Sequence, residues 1–327
     1  MRLRTRLVLW QGPTRVRIGM DPRWAVVLED LSPSAARALA TLPRGADDER
    51  SVRAAMRRES VPADEVTAVL AHLRDARHLV PARTPDSPDA AAWGLLADDG
   101  DGTAVLARRH ASSVRVCGLG RVGAAVATTL AAAGVGRIEL VDDGSVTRHD
   151  VGPAGARLPD VGGPRNGAVA RAVHDVAPDV QTPPAGGPVD LVVLVEQHVT
   201  DPAAHRPLVT DAVPHLSVVV REASVLVGPL VRPGRTPCLR CLDLHRTDAD
   251  PDWPALAAQL ACRPGDAAES VVAAVAASLA AAQAVAFLDG RTPTVEGATL
   301  EVPLPDAVPR LARWATHPAC GCAGLPA

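Results

Sequence analysis

The sequence contains no lysine: all 34 basic residues of the 327-residue chain are arginine. That excludes a lysine nucleophile, a Schiff base and a P-loop lysine. Tyrosine is absent and Phe287 is the only phenylalanine. The accompanying Ala, Arg and Pro richness looks like a coding bias and carries little functional information. The formal net charge is only −3, so no global field draws the chain to nucleic acid. No apolar h-region follows Met1, so no secretory signal is expected and a cytoplasmic location is. The only long uncharged stretch, Ser270–Leu288, is alanine-rich with interspersed serines. It is too weakly apolar to span a bilayer readily and reads as a buried helix. The six cysteines are too few and too clustered for a secreted disulfide framework, and a cytosolic metal site accounts for them better.

The chain is organised around Val114–Asp142, VRVCGLGRVGAAVATTLAAAGVGRIELVD. Val114–Cys117 is a short apolar strand. Gly118, Gly120 and Gly123 form G-x-G-x-x-G at its junction with a helix, Ala124–Ala133, which Gly134 and Gly136 can stop. Arg137–Val141 is a second strand, with Asp142 at its carboxyl end. Glycines there let backbone approach a phosphate, helix N–H groups face it, and the acid can take ribose hydroxyls. The pattern predicts a Rossmann-like βαβ unit. Two uses remain open: a nucleotide site, or a glycine turn kept for packing alone.

Before it, residues 3–31 read as three short strands, Thr5–Trp10, Arg15–Gly19 and Trp24–Leu28. Three helices follow: one from Ser32 and Pro33 to Leu42, one capped by Asp47 or Asp48 over Glu49–Glu59, and one opened by Pro62. In the last, Val66, Val69, Leu70 and Leu73 fall at helical spacing. Three strands and three helices suggest a winged-helix α+β module. Its third helix mixes Arg74 and Arg77 with Asp64, Glu65 and Asp75, a solvated face rather than a DNA-reading one. The run Arg17–Leu42, RIGMDPRWAVVLEDLSPSAARALATL, resembles the start of the PqqD-like peptide-recognition domain of enzymes that modify ribosomal peptides. That resemblance implies a leader peptide added as a strand beside Trp24–Leu28 and packed on the helix Ala63–Arg77. Residues 82–102 read as a Pro/Asp/Ala-rich linker, and Thr103–His110 as a short helix.

From Ala107 to His174 the chain is similar to the ThiF/MoeB/HesA superfamily of adenylating, ubiquitin-activating-enzyme-like proteins. The carrying residues are GLGRVG, AAAGVGRIELVDDGSV and DVGGPRNGAVARAVHDVAPDV (Asp160–Val180). The resemblance implies ATP and Mg²⁺, with Gly118, Gly120, Gly123, Asp142 and Arg165 around the nucleotide. Arg165 stands where the family has a phosphate-facing lysine, a planar fork in place of a point charge. The family's Asn and Arg after the second strand are replaced within Thr147–Pro153, where Asp150 and Val151 fall and Arg148 fits only by a register shift. The magnesium-positioning Asp after the third strand, Asp190–Val195, is replaced by Gln197, a poor magnesium ligand. Glu196, one residue earlier, is the remaining candidate catalytic acid.

Cys238-x-x-Cys241 and Cys320-x-Cys322 suit one tetrahedral Cys₄ zinc, with His317 an alternative ligand and redox dithiols the competing account. Cys117 reads as a core residue. Cys262 beside Arg263 is either a nucleophile for acyl transfer or incidental.

The expected architecture is α/β: residues 1–81 a winged-helix, PqqD-like peptide-recognition domain, 82–102 a linker, and 103–327 a Rossmann-like ThiF-type domain with a zinc site. This combination resembles the leader-binding partners of azoline-forming cyclodehydratases. It implies a precursor peptide, a YcaO-type partner enzyme and a homodimer, with no nucleic acid and no membrane. The alternative is an active ATP-dependent adenylyltransferase acting on a peptide or protein C-terminal carboxylate, with Glu196 serving the metal.

Overall fold

The computed structural model describes residues 1–5, 7–43, 48–81, 87–265 and 267–322. The chain divides into two compact units, Met1–Leu106 and Ala107–Ala327.

In the first unit, β1 (Arg2–Leu3) precedes a three-stranded antiparallel meander of β2 (Val8–Gly12), β3 (Arg15–Ile18) and β4 (Val26–Leu28). Val16 and Ile18 alternate inward along β3 and are fully buried, the two-residue period of a one-sided sheet. Helix α1 (Pro33–Ala40) starts where expected: the Ser32 side chain accepts from Ala35 N, with Pro33 at the first position. Asp48 accepts from Ser51 N and caps α2 (Glu49–Arg58). The other expected cap, Asp47, lies outside the described residues. Helix α3 (Ala63–Asp75) buries Val66, Val69, Leu70 and Leu73. Then β5 (Leu79–Val80) pairs antiparallel with β1. Of the expected linker, 82–86 lies outside the described residues, and the part that follows is helical: α4 (Pro88–Gly94) is capped by Ser87 and opened by Pro88. Helix α5 (Thr103–His110) crosses the boundary of the two units in sequence.

The second unit opens with β6 (Ser113–Cys117), α6 (Arg121–Ala132), β7 (Arg137–Val141), α7 (Arg165–Val176) and β8 (Leu191–Gln197). It continues with α8 (Pro202–Thr210), β9 (His215–Val220), β10 (Ser224–Val231), α9 (Leu239–Ala249) and α10 (Trp253–Ala261). Helix α11 (Ser270–Leu288) and strands β11 (Ala298–Pro303) and β12 (Arg310–Arg313) complete it. One mixed seven-stranded sheet runs β12-β11-β10-β9-β8-β6-β7. The pairs from β7 to β9 are parallel, and those from β9 to β12 antiparallel. Because β7 and β8 flank β6 on opposite sides, the strand order reverses between β6 and β8, the place where open α/β sheets bind ligands.

Helix α11 is a core helix: Ala273, Ala276, Ala280 and Ala284 are buried at helical spacing and let its backbone approach α6 and the sheet. Against expectation it is apolar enough to cross a bilayer by length and composition, but its buried face makes it a core helix. Its cap is Glu269, which accepts from Val271 N and Val272 N. A buried ion pair ties α5 to the end of α11: Arg109 donates to Asp289 Oδ1 at 2.9 Å and Oδ2 at 2.7 Å.

Candidate functional site

At the switch point, the loops after β6, β7 and β8 enclose a cleft of ≈ 280 Å³. Gly118 has φ +87°, and a Cβ there would lie 2.1 Å from Val195 O. A Cβ at Gly123 would lie 1.8 Å from Gly118 O. Both glycines are demanded by the fold itself, whatever binds. Gly120 differs: the nearest atom to its added Cβ is Asp150 Oδ1 at 3.5 Å, so this position keeps its backbone open toward the cleft. Such an opening fits a close phosphate approach.

The Asp150 side of the wall does not. Asp150 Oδ2 accepts from Thr147 N at 2.7 Å and Thr147 Oγ1 at 2.9 Å. It also accepts from Arg165 Nε at 3.1 Å and Nη2 at 3.0 Å. The cation expected to face phosphate is therefore neutralised by an acid inside the same cleft. Asp142 is braced as well: Oδ2 accepts from Leu119 N and Oδ1 from Gly144 N, both at 2.7 Å. Arg121, which sequence reasoning passed over, lines the cleft. Its Nη1 donates to Ala268 O at 2.9 Å, while its Nε is buried without an acceptor. Arg148 is not among the lining residues, whereas Thr147, His149 and Asp150 are.

Strand alternation decides the two candidate metal positions. Gln197 lines the cleft, against Gly265 of the loop before α11. Glu196 points to the other sheet face and is not among the lining residues. Its Oε1 accepts from Asp201 N at 2.7 Å, and its Oε2 is buried without a partner. Burial pushes this carboxyl up to about 7, with Asp201 and Asp243 adding repulsion. The acid that the adenylation reading assigns to the metal is thus held away from the glycine turn, and the side chain beside the turn is neutral.

The cysteine pairs do meet. Cys238 Sγ and Cys320 Sγ are 3.4 Å apart, as are those of Cys241 and Cys322. All four sulfurs lie within 4.8 Å of one another, close to the roughly 3.8 Å edge of a tetrahedron with ~2.3 Å metal–sulfur bonds. His317 is engaged elsewhere: Nε2 pairs with Asp248 Oδ2 at 2.9 Å and Nδ1 accepts from Ala319 N. Four cysteines that can hold a metal ion therefore converge from chain segments far apart in sequence. Cys117 is pushed up to about 11 by burial, an inert thiol. Cys262 is exposed at the end of α10.

The sequence profile of the ThiF family matches residues 92–322. The chain belongs to the ThiF family. No curated protein sequence matches it. Among solved structures, this ThiF protein is similar to E. coli MccB with AMPCPP and MccA: TM-score 0.70 at 16% identity, covering 98% of this chain and 97% of that one. It is similar to E. coli MccB with ATP, at TM-score 0.66 and 17% identity over 97% of both chains. PaaA gives TM-score 0.69 and 17% identity over 94% of this chain and 98% of that one. At these identities the likeness establishes the fold.

Proposed function

We propose that this ThiF-family protein binds a precursor peptide in ribosomal-peptide biosynthesis and presents it to a partner enzyme, its own ThiF unit being without adenylation activity. The observation that carries the second half is the pairing of Asp150 with Arg165. A carboxylate fixed near a triphosphate costs about 4 kcal/mol per unit charge at ~4 Å and an effective dielectric of ~20. The guanidinium that would offset this is already committed. Gln197 then leaves the metal without a carboxylate where turnover needs one.

The first half draws on the MccB structures that contain the peptide MccA and on the first unit. Strand β4 is an edge of its sheet, which suits a peptide added as a further strand. On this reading the unit is a winged-helix, PqqD-like module, the partner is a YcaO-type cyclodehydratase component, and the chain is a cytoplasmic homodimer. The Cys238, Cys241, Cys320 and Cys322 cluster holds a structural zinc. A closed set of four thiolates leaves no open position, so it serves the fold rather than the chemistry.

The adenylyltransferase reading keeps two observations: the open Gly120 and the unpartnered Nε of Arg121. ATP–pyrophosphate exchange, with calorimetric ATP titration in Mg²⁺, separates the two readings. No exchange is expected with any precursor peptide. Exchange that depends on a C-terminal carboxylate would overturn the scaffold reading. For the peptide, slowed hydrogen exchange of the Val26–Leu28 amides on adding precursor is expected, and protection confined to other strands would refute the docking edge.

A further inference from the structure

A second concavity lies in the ThiF unit, formed by α8 and α9. It has a volume of ≈ 540 Å³ and is lined by Pro202, His205 and Arg206 of α8 and by Arg240, Asp243, Leu244 and Thr247 of α9. The α9 positions share one helical face. None of these residues lines the switch-point cleft.

Its charges are unevenly matched. Asp243 accepts from Arg246 Nη1 at 3.2 Å and from Trp253 Nε1 at 3.3 Å, so the single lining acid is already paired. Arg206 and Arg240 have no side-chain acceptor and no ion-pair partner among the described residues. Each guanidinium carries five N–H donors, and the two stand on different helices around one hollow. The wall between them is polar: His205 is 3% exposed, and its Nε2 has no hydrogen-bond partner. Burial holds that imidazole down at about 4, so it is neutral and able to donate or accept. Thr247 adds a hydroxyl, itself donating to Asp243 O at 2.8 Å and able to accept.

We infer that this concavity is a binding site for a small oxyanion, a phosphate or carboxylate group, clamped between the Arg206 and Arg240 guanidiniums. Planar forks of this kind match both groups in bidentate fashion. The net charge of the lining favours an anion, since the only lining acid is compensated by Arg246. A polyphosphate is not required, and neither glycine turn nor metal is involved, so the site stands independently of whatever the switch-point cleft binds.

The test is calorimetry at low ionic strength, with inorganic phosphate in one arm and succinate in the other. Saturable binding is expected in at least one arm, and the tighter arm names the source of the anion. Arg206→Gln and Arg240→Gln should each weaken it at least about tenfold, while Arg310→Gln on exposed β12 leaves it unchanged. Both substituted arginines are exposed, so the variants should keep the parent melting temperature, and that is checked alongside. Absence of saturable binding in both arms, or binding that persists in the R206Q/R240Q double variant, overturns the site.

Discussion

Asp150 and Arg165 neutralise each other inside the cleft, with Arg165 Nε and Nη2 donating to the single oxygen Oδ2 at 3.1 and 3.0 Å. The pairing turns the phosphate end of a nucleotide site into a closed ion pair. Asp150→Asn removes the negative charge, keeps an acceptor for Thr147, and leaves the guanidinium with one remaining acidic partner, Asp142, whose Oδ2 lies 3.5 Å from Arg165 Nη1. Calorimetric ATP affinity should then rise by at least about tenfold, roughly 1.4 kcal/mol. Pyrophosphate exchange should stay absent in Asp150→Asn, because Gln197 still offers no charged metal ligand. An unchanged ATP affinity would show that the pair is not what keeps the nucleotide out.

The glycines of the turn separate folding from binding. Gly123→Ala forces a Cβ to 1.8 Å from Gly118 O, a backbone clash that only movement of α6 can relieve. It should cost at least about 3 kcal/mol, within the range of severe core overpacking. Gly120→Ala meets only Asp150 Oδ1 at 3.5 Å and should change stability by less than about 1 kcal/mol. Denaturant melts of the two variants check this. Comparable losses would mean that Gly120 is also held by packing and not by the openness of the cleft.

Much of this site was legible before any coordinates. The strand, glycine turn, helix and second strand are local in sequence, and each glycine marks a place where backbone crosses backbone or solvent. The replacement of an acid by Gln197 is what the family resemblance implies, with Glu196 left as a candidate; the alternation of β8 is what puts Gln197, and not Glu196, on the cleft. The two cysteine pairs carry their chemistry in their spacing. What was not legible is the partner of Arg165. The family resemblance implies a phosphate ligand there, and Arg165 does line the cleft, but its acceptor comes from the short turn at Arg148–Asp150, whose path the local pattern does not specify. Within residues 82–102, Ser87 and Pro88 are a helix start signal, and the Pro/Asp/Ala-rich composition around them hides it. Strand β12 has no apolar alternation, since all of its residues are exposed, so nothing in its sequence announced an edge strand.

The metal centre is checked by content and by stability. The purified protein should carry one zinc per chain by elemental analysis, and Cys238→Ser should abolish it. Metal binding of this kind is folding free energy. Losing it should cost several kcal/mol, ~3 or more, and lower the melting temperature by roughly 6–12 °C for a unit of this size. A metal-free wild type that melts like the zinc-loaded one would refute a structural role for the cluster.

Glu196 makes stability depend on pH with a definite sign. Its carboxyl lies near 4.5 when free and is pushed up to about 7 in the fold by burial, reinforced by Asp201 and Asp243. Between those values the folded state holds a proton that the unfolded state has released, so stability falls as pH rises through this window and levels off above it. At ~1.4 kcal/mol per unit, the loss is on the order of 2–3 kcal/mol once relaxation and water entry are allowed for. Glu196→Gln keeps an oxygen for Asp201 N and has no charge to bury. It should match wild type near pH 4.5 and melt roughly 5–10 °C higher at pH 8. A variant that tracks wild type across the whole range would place the carboxylate in water, and the unpartnered Oε2 would then be solvated rather than buried.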